Sequence, residues 1–452
     1  MMRFRVPRLL SIPRPSLRRR LWLSPRLWRR RIVFWLGAIA VGIVSVGFAR
    51  ASEEAQAVFG LALGVSPLLP LVLTPLGFAT CAIVSARFFP GAQGSGIPQV
   101  IAARHLHEPA ARLSLLSMRL ATGKILLTLV GLSCGAAIGR EGPTVQVGAA
   151  LMLFAARTGR MGQERGVILA GGAAGVAAAF NTPLAGIVFA IEELSRSFEQ
   201  RTNGVVLTTV IIAGLAALSL AGDYTYFGQS TASLGGPENW LIVPLCGIVG
   251  GLFGGIFSRA VIEIGRLMRR LIGGRPWRIA GFAAGCGLAL AILGLATGGL
   301  VYGTGYTEAR AILEGGALPW GYAPAKLVAV LLSTLSGIPG GIFAPALSVG
   351  AGLGNVLAQS MPDQPAGAVV LLAMVGYFAG VVQAPITAAV IVFEMTAGRA
   401  MTIPILATAL IGHGASKLIC PHPLYHTLSM NFLGAGEAGR AGKVGARRET
   451  VR

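Results

Sequence analysis

The chain repeats a pattern at a fixed spacing of 202 residues. The segment GREGPTVQVGA, from Gly139, aligns with GIFAPALSVGA, from Gly341, and five of the eleven positions are identical. The same spacing aligns NTPLAGIVFAIEE, from Asn181, with QAPITAAVIVFEM, from Gln383. Two segments that share one spacing without a gap indicate an internal duplication. We therefore predict two homologous halves, residues 32–221 and 239–433, joined by a linker at 222–238.

The composition places these halves in a membrane. Of 452 residues, 54% are hydrophobic and 12% are charged, whereas soluble domains carry about 25% charged residues. About eleven apolar stretches follow one another, and several are long enough to cross a hydrocarbon core of ~30 Å. Glycine and proline cut the others into short pieces, which is typical of close helix packing and broken helices. We predict an all-α polytopic membrane protein with many tilted and broken helices.

The charges of the loops predict how the halves are oriented. Residues 1–31 hold eleven Arg and no acid, residues 258–278 hold six Arg and one Glu, and residues 434–452 are also basic. Residues 222–240 hold no Lys or Arg. Because basic loops stay in the cytoplasm, the first half starts inside and ends outside, and the second half is inverted. Such an inverted repeat is typical of transporters whose site lies at the membrane midplane.

The basic tail at residues 1–31 has two interpretations. It could bind nucleic acid, or it could be a cytoplasmic topology signal that touches anionic lipid. We favour the second because the tail directly precedes the first apolar stretch. Both basic tails are expected in the cytoplasm of a cell whose inner membrane holds the protein, with the lipid bilayer and no nucleic acid as partner.

An acid in a long apolar region marks the candidate site. No charge occurs from Ile125 to Ile138 or from Thr144 to Ala156, and Glu141 lies between them. An acid at membrane depth costs about 3 kcal/mol on insertion scales, so it indicates a function. Glu141 is expected just before a helix that Pro143 helps to start, where backbone N–H groups favour an anion. Its carboxylate could compete with a bound anion, or take a proton and stop competing.

Three glycine-proline segments could together remove water from an anion. Each precedes a helix-compatible stretch, and each could direct backbone N–H groups into a cavity without a fixed positive charge that would hold the anion too tightly. The segments are Gly94, Ser95, Gly96, Ile97 and Pro98; Gly139, Arg140, Glu141, Gly142 and Pro143; and Gly341, Ile342, Phe343, Ala344 and Pro345.

The motifs GSGIP, GREGP and GGIFAP, in this order, resemble the three signatures of the CLC chloride channel and transporter family. The resemblance runs from about residue 32 to Tyr425 and beyond, and it implies the inverted-repeat CLC fold. It implies that Ser95, Tyr425 and the backbone amides of Ile342 and Phe343 bind chloride, and that Glu141 is the gate. The serine implies chloride rather than nitrate, and the intact motifs argue against fluoride.

Glu193 separates two functions that the fold allows. Its neighbour Glu192 pairs with Glu394 in the repeat, whereas Glu193 pairs with Met395. An acid in only one copy suggests an added role, and in the family this position resembles the internal proton-transfer site of exchangers. We therefore predict a chloride/proton antiporter. The alternatives are a passive, voltage- or pH-gated chloride channel of the same fold, and a Glu193 that only pairs with a nearby Arg such as Arg196.

The remaining expectations concern other residues and partners. The resemblance implies a homodimer with one pathway per subunit, and bound chloride ions are the only cofactor expected. No metal site is expected, and no enzyme activity, because no apolar segment pairs His with a Ser or Cys nucleophile motif.

Lys124 resembles a buried basic residue of bacterial relatives and is expected to shift the local potential, while Arg140 is expected to donate to carbonyls at a helix end.

Overall fold

The computed structural model describes residues 25–162, 164–195, 200–222, 226–228, 232–396 and 399–433. Most of the predicted tail at 1–31, all of the tail at 434–452, and Arg196 lie outside the described residues. The helices of the first half are α1 Pro25–Val65, α2 Pro70–Phe88, α3 Ile97–His105, α4 Pro109–Leu115, α5 Met118–Ser133, α6 Glu141–Thr158, α7 Glu164–Phe180, α8 Pro183–Phe189, a π-helix Ala190–Ser195, and α9 Gln200–Ala221.

The second half follows a short connection. It comprises a 3-10 helix Pro237–Leu241, α10 Ile242–Ile272, α11 Pro276–Ala296, α12 Tyr306–Leu313, α13 Tyr322–Leu335, α14 Phe343–Ser360, α15 Ala366–Val382, α16 Pro385–Thr396, a 3-10 helix Arg399–Met401, α17 Thr402–Ile419, and α18 at residues 424–433. The predicted all-α class is confirmed for the described residues.

Long helices surround shorter buried ones. Seven helical segments within the described residues are long and apolar enough to cross a membrane, among them Pro70–Phe88, Gly204–Ala221 and Pro276–Ala296. By contrast, α15 is buried along almost its whole length, as is α7. An apolar helix that is buried all round belongs to the core of a membrane bundle. Helices α7 and α15 are therefore enclosed by the other helices of the protein.

Glycines let these central helices approach closely. A methyl group on Gly250 would lie 2.5 Å from the backbone nitrogen of Tyr377, and one on Gly350 would lie 2.6 Å from the Cα atom of Met374. Gly148 of α6 and Gly171 of α7 face each other in the first half in the same way. Small residues at helix contacts are the usual basis of packing in membranes, where lipid tails are as apolar as Leu.

Two equivalent contacts join the halves, and in each an acid of one half accepts backbone hydrogen bonds from the other half. The Glu192 carboxylate accepts hydrogen bonds from the backbone N–H groups of Ile386 (3.1 Å) and Thr387 (2.6 Å) at the start of α16. The Glu394 carboxylate accepts from Leu184 (3.1 Å) and Ala185 (2.7 Å) at the start of α8. The spacing of 202 residues relates each contact to the other. Each acid thus satisfies first-turn N–H groups of the opposite half, where negative charge is favoured.

Removing the Glu394 carboxylate should weaken the contact between the two halves. We expect Glu394→Ala to lower the free energy of unfolding by about 1–3 kcal/mol, because two backbone N–H groups lose their acceptor. Thermal unfolding of the purified protein in detergent measures the effect. The control is Glu263→Ala, which removes an exposed pair with Arg259 one helical turn away and should cost about 0.5 kcal/mol or less. Equal melting temperatures of the two variants would contradict the prediction.

Candidate functional site

Short backbone hydrogen bonds bring the three glycine-proline segments together. Gly139 N–H donates to the Gly341 carbonyl, and Gly341 N–H donates to the Gly139 carbonyl, both at 2.7 Å. Gly94 joins them, since its N–H donates to Ile338 at 3.2 Å and its carbonyl accepts from Gly340 at 3.1 Å. The segments are separated by up to about 250 residues in the chain, yet the fold brings them into contact.

Three helices begin at this meeting point. Helix α3 begins at Ile97, α6 at Glu141 and α14 at Phe343. The first N–H groups of a helix have no partner within the helix, and the helix dipole adds a partial positive charge there. Gly96 precedes α3 with φ 104°, a left-handed conformation that only glycine adopts without strain. The arrangement concentrates anion-binding potential without placing a cationic side chain at its centre.

Glu141 is the first residue of α6 rather than the residue before it. Its side chain is fully buried. A methyl group on Gly139 would collide with its Oε2 atom, so the carboxylate is folded back over that glycine. Within the described residues neither carboxylate oxygen has a partner in hydrogen-bond geometry, although the backbone amides of Glu141 and Ala344 act on its charge. The acid therefore occupies the region where the amides favour an anion.

Ser95 and Tyr425 present hydroxyl groups to the same region. Both residues are buried, and neither hydroxyl meets the geometry of a hydrogen bond with the described part of the chain, although the Ser95 hydroxyl acts on that of Tyr425. The Tyr425 ring lies 6.0 Å from the Phe343 ring, and a methyl group on Gly142 would collide with the Ser95 hydroxyl. Buried polar groups are normally paired, so two hydroxyls that have only this weak mutual contact can accept a further hydrogen-bonding group between them.

Two cavities approach the site. The first, called the Tyr425 cavity, has a volume of about 520 Å³ and is lined by Ser95, Ile342 and Tyr425; its other lining residues include Gln93, Arg269 and Leu428. The second, called the Arg140 cavity, has a volume of about 500 Å³ and is lined by Arg50, Glu53, Gln56, Arg140, Thr304 and Thr307 among others. Glu141 lines neither of them. Its chain neighbours reach both cavities, since Arg140 lines one and Gly142 lies against Ser95, which lines the other.

Glu193 lies in a local irregularity of the first half. Helix α8 runs into the π-helix Ala190–Ser195, which contains Glu193, whereas the equivalent segment of the second half continues as regular α-helix to Thr396. Single π turns are frequent at functional sites. Glu193 is 2% exposed, and both it and Glu141 act electrostatically on the Tyr425 hydroxyl. The structure thus places the two acids around one tyrosine, and sequence patterns gave no signal of the π turn.

Lys124 holds the segment that precedes Ser95. Its Nζ atom is fully buried and donates to the carbonyls of Ala92 and Gly94, both at 2.6 Å. The sequence predicted only an effect on the local potential, so the direct contact with Gly94 is new. The repeat spacing also aligns Lys124 with Lys326, which we did not single out. Lys326 is equally buried and donates to three consecutive carbonyls, those of Val301, Tyr302 and Gly303.

Arg140 differs from expectation. Its Nη1 atom donates to the carbonyl of Ala49 at 2.6 Å and to the Glu53 carboxylate at 3.0 Å. Ala49 lies in the interior of α1, not at a helix end, so that part of the prediction was wrong. The reason is that α1 passes directly beside the start of α6, a contact between distant parts of the chain that the local sequence does not encode.

Within the described residues, no group of three or more metal-binding side chains is found.

Comparisons with known proteins agree with this geometry. A family model described as voltage gated chloride channel matches residues 77–417. The H(+)/Cl(-) exchange transporter ClcA of Salmonella agona is 32% identical over 430 residues, covering 89% of this chain and 88% of the relative. ClcA of Yersinia pestis is 32% identical over 436 residues, covering 89% and 87%.

Solved structures share the fold. A slow cyanobacterial Cl-/H+ antiporter matches with a TM-score of 0.79 and 23% identity, covering 91% of this chain and 99% of that one. A CLC-type fluoride/proton antiporter matches with a TM-score of 0.76 and 22% identity, covering 88% and 98%. At these identities the likeness concerns the fold, and it confirms the predicted inverted-repeat architecture.

The two cavities should open to opposite faces of the membrane. Arg269 on the Tyr425 cavity belongs to the basic region predicted inside, whereas Ala221 on the Arg140 cavity precedes the linker predicted outside. We expect a membrane-impermeant thiol reagent to label Leu428→Cys from one face and Thr307→Cys from the other. The five native cysteines are buried, so their background is low. Ala373→Cys, at a wholly buried position, should resist labelling from both faces; labelling of both cavity variants from the same face would contradict the geometry.

Proposed function

The chain belongs to the voltage gated chloride channel family, and we propose that it is a secondary active transporter that exchanges chloride for protons across the membrane. The observation that carries the proposal is the position of Glu141, a buried acid that begins one of the three helices meeting at the site and whose neighbours Arg140 and Gly142 reach the two cavities. The names of the ClcA relatives support exchange of these two ions. The passive channel of the same fold is the alternative, and nothing in those names favours it.

We propose that chloride binds between the Ser95 and Tyr425 hydroxyls and the backbone amides of Ile342 and Phe343. Hydroxyl and amide groups donate hydrogen bonds without carrying a full charge. Such a site is strong enough to replace part of the water around the ion and weak enough to release it. The two hydroxyls are buried, and in the described region neither meets hydrogen-bond geometry with a protein group, so they are the donors that support this assignment.

Glu141 is proposed as the gate of this pathway. When ionised, its carboxylate is attracted by the same amides that attract chloride, and it keeps the two cavities apart. When protonated, the side chain loses that attraction and can leave the position to an anion. Burial in a low-dielectric site favours the neutral form, whereas amide dipoles and the neighbouring Arg140 favour the charged form. The opposition of these effects lets the acid change its protonation during transport.

Glu193 is proposed to pass protons between the Tyr425 side of the protein and Glu141. It is buried, unlike a surface acid, and it shares Tyr425 as an electrostatic neighbour with Glu141. Its neighbour Glu192 is instead held by the N–H groups of α16. The two consecutive acids therefore have different proposed roles: Glu192 joins the two halves, and Glu193 lies in the proton path. Transient water is the proposed bridge between Glu193 and Glu141.

The assembly is proposed to be a homodimer in the inner membrane, with one pathway in each subunit and both termini in the cytoplasm. The loop charges support the direction, since Arg269 of the basic region 258–278 lines the Tyr425 cavity. The seven candidate spans support the location in the bilayer. Bound chloride is the proposed ligand, and the lipid bilayer is the surrounding partner.

Replacing the proposed gate should separate the two fluxes. In liposomes that contain Glu141→Ala we expect chloride flux to persist and to lose its dependence on pH, because no carboxylate competes for the amides. Proton flux driven by a chloride gradient should fall about 100-fold or to the leak of empty liposomes. Electrodes for chloride and pH record both fluxes together. Retention of coupled proton transport in this variant would exclude Glu141 as the gate.

The proton path should depend on Glu193 and not on Glu192. We expect Glu193→Gln to abolish proton flux, because an amide cannot carry the proton, and to leave chloride flux in place. Glu192→Gln is the matched control, since it removes an equal charge one residue away and keeps an acceptor for α16. It should retain both fluxes. Wild type that moves chloride without protons would instead support the passive channel, and loss of both fluxes in Glu193→Gln would count against the assignment.

A further inference from the structure

One face of helix α1 forms a wall of the Arg140 cavity. Ala49, Glu53 and Gln56 are spaced by four and three residues, so they lie on the same side of the helix. All three line the cavity. Two of them carry polar side chains that contact the opposite wall, and each contact reaches a different half of the protein.

Glu53 contacts the residue that precedes the proposed gate. Its carboxylate accepts a hydrogen bond from Arg140 Nη1 at 3.0 Å; the Arg140 side chain is 7% exposed, while that of Glu53 is 66% exposed. The Arg140 Nε atom has no hydrogen-bond partner in the described part of the chain. The buried Arg140 cation is thus hydrogen-bonded to one carboxylate that water reaches, that of Glu53, while Glu141 also acts on its charge.

Gln56 makes the matching contact with the second half. Its side-chain oxygen accepts from the backbone N–H of Thr304 at 3.0 Å and from the Thr304 hydroxyl at 3.1 Å. Lys326 holds the carbonyls just before Thr304. The α1 face is therefore anchored on both sides of the cavity. This anchoring fixes the α1 backbone at Glu53, and the hydrogen bond with Arg140 holds its carboxylate there.

We propose that Glu53 is a positioning residue that sets how strongly the Arg140 cavity attracts anions. The inference rests on the proposed function, because the anion is the transported chloride. Among the described residues, the charged side chains that line the cavity are Arg50, Arg140 and Glu53, which gives two positive charges minus one negative, a net charge of +1. Without the Glu53 charge the net charge would be +2. A cavity with low-dielectric walls focuses such a field and raises the local concentration of the counter-ion.

Removing the Glu53 charge makes the cavity more positive, and this acts on both anions that compete for the site, chloride and the Glu141 carboxylate. It attracts chloride into the cavity and also favours the ionised form of Glu141, which keeps the gate closed. We therefore expect a split between the two kinetic constants: KM for chloride falls, and kcat stays unchanged or falls. A merely structural role of Glu53 would instead reduce the amount of folded protein or kcat and leave KM in place.

The test measures chloride flux in a planar membrane with chloride varied on one side at a time. Glu53→Gln keeps an oxygen that accepts from Arg140 and removes only the charge. We expect its KM for chloride, on the face to which the Arg140 cavity opens, to fall about three- to tenfold. On the other face KM should change less than about twofold, because the Tyr425 cavity lies across the gate.

Two variants separate charge from position. Glu53→Asp retains the charge and should keep KM within about twofold of wild type. Glu54→Gln removes an equal charge from the adjacent, exposed residue of α1 and should do the same. The inference is overturned if KM of Glu53→Gln equals that of wild type, or if either control shows the same fall. If wild type moves no chloride, the proposed function fails and the inference falls with it; if wild type moves chloride and Glu53→Gln matches it, only the inference fails.

Discussion

The paired backbone hydrogen bonds between Gly139 and Gly341 hold the site together. They join two segments that the repeat makes equivalent, and they bring the first residues of α6 and α14 against each other. Neither glycine can carry a side chain: a methyl group on Gly139 would meet the Glu141 carboxylate, and one on Gly341 would lie 2.8 Å from the backbone nitrogen of Gly142. Because this close contact points the unpaired N–H groups of both helices to one region, the protein can attract an anion there without a cationic side chain.

Two pairs of residues related by the repeat make structural contacts, whereas the acids Glu141 and Glu193 have no acidic equivalent in the second half. Glu192 and Glu394 make equivalent contacts between the halves, and Lys124 and Lys326 both hold loop carbonyls. At the site the equivalence ends, since the spacing of 202 residues aligns Glu141 with Phe343 and Glu193 with Met395. Among the described residues of the site, the acids come from the first half, and of the two helices related by the repeat there the one near Glu193 contains the π turn. We propose that these acids of the first half form the proton path beside an anion site to which both halves contribute.

Much of this arrangement could be predicted from the sequence, because its signals are local or periodic. The spacing of 202 residues, the apolar stretches and the three glycine-proline segments were enough to predict the all-α fold and to bring Ser95, Glu141 and Phe343 into one site. Other features depend on contacts between distant segments. The position of Arg140 against the middle of α1 follows from how α1 packs, and neither residue carries a local pattern that reveals it. No local pattern in the sequence marks the π turn at Ala190–Ser195, and Lys326 was not identified although the spacing of 202 residues pairs it with Lys124.

The central claim is that the Glu141 carboxylate and a halide take turns at the same amides. Its most direct test is to locate bromide by anomalous diffraction in crystals of wild type and of Glu141→Gln, grown at the same bromide concentration and pH. The account predicts a bromide near Ser95 and Tyr425 in both, and an additional bromide in the variant at the place where the wild-type carboxylate lies, beside Gly139 and Ala344. Identical bromide positions in the two crystals, with none at that place, would contradict it.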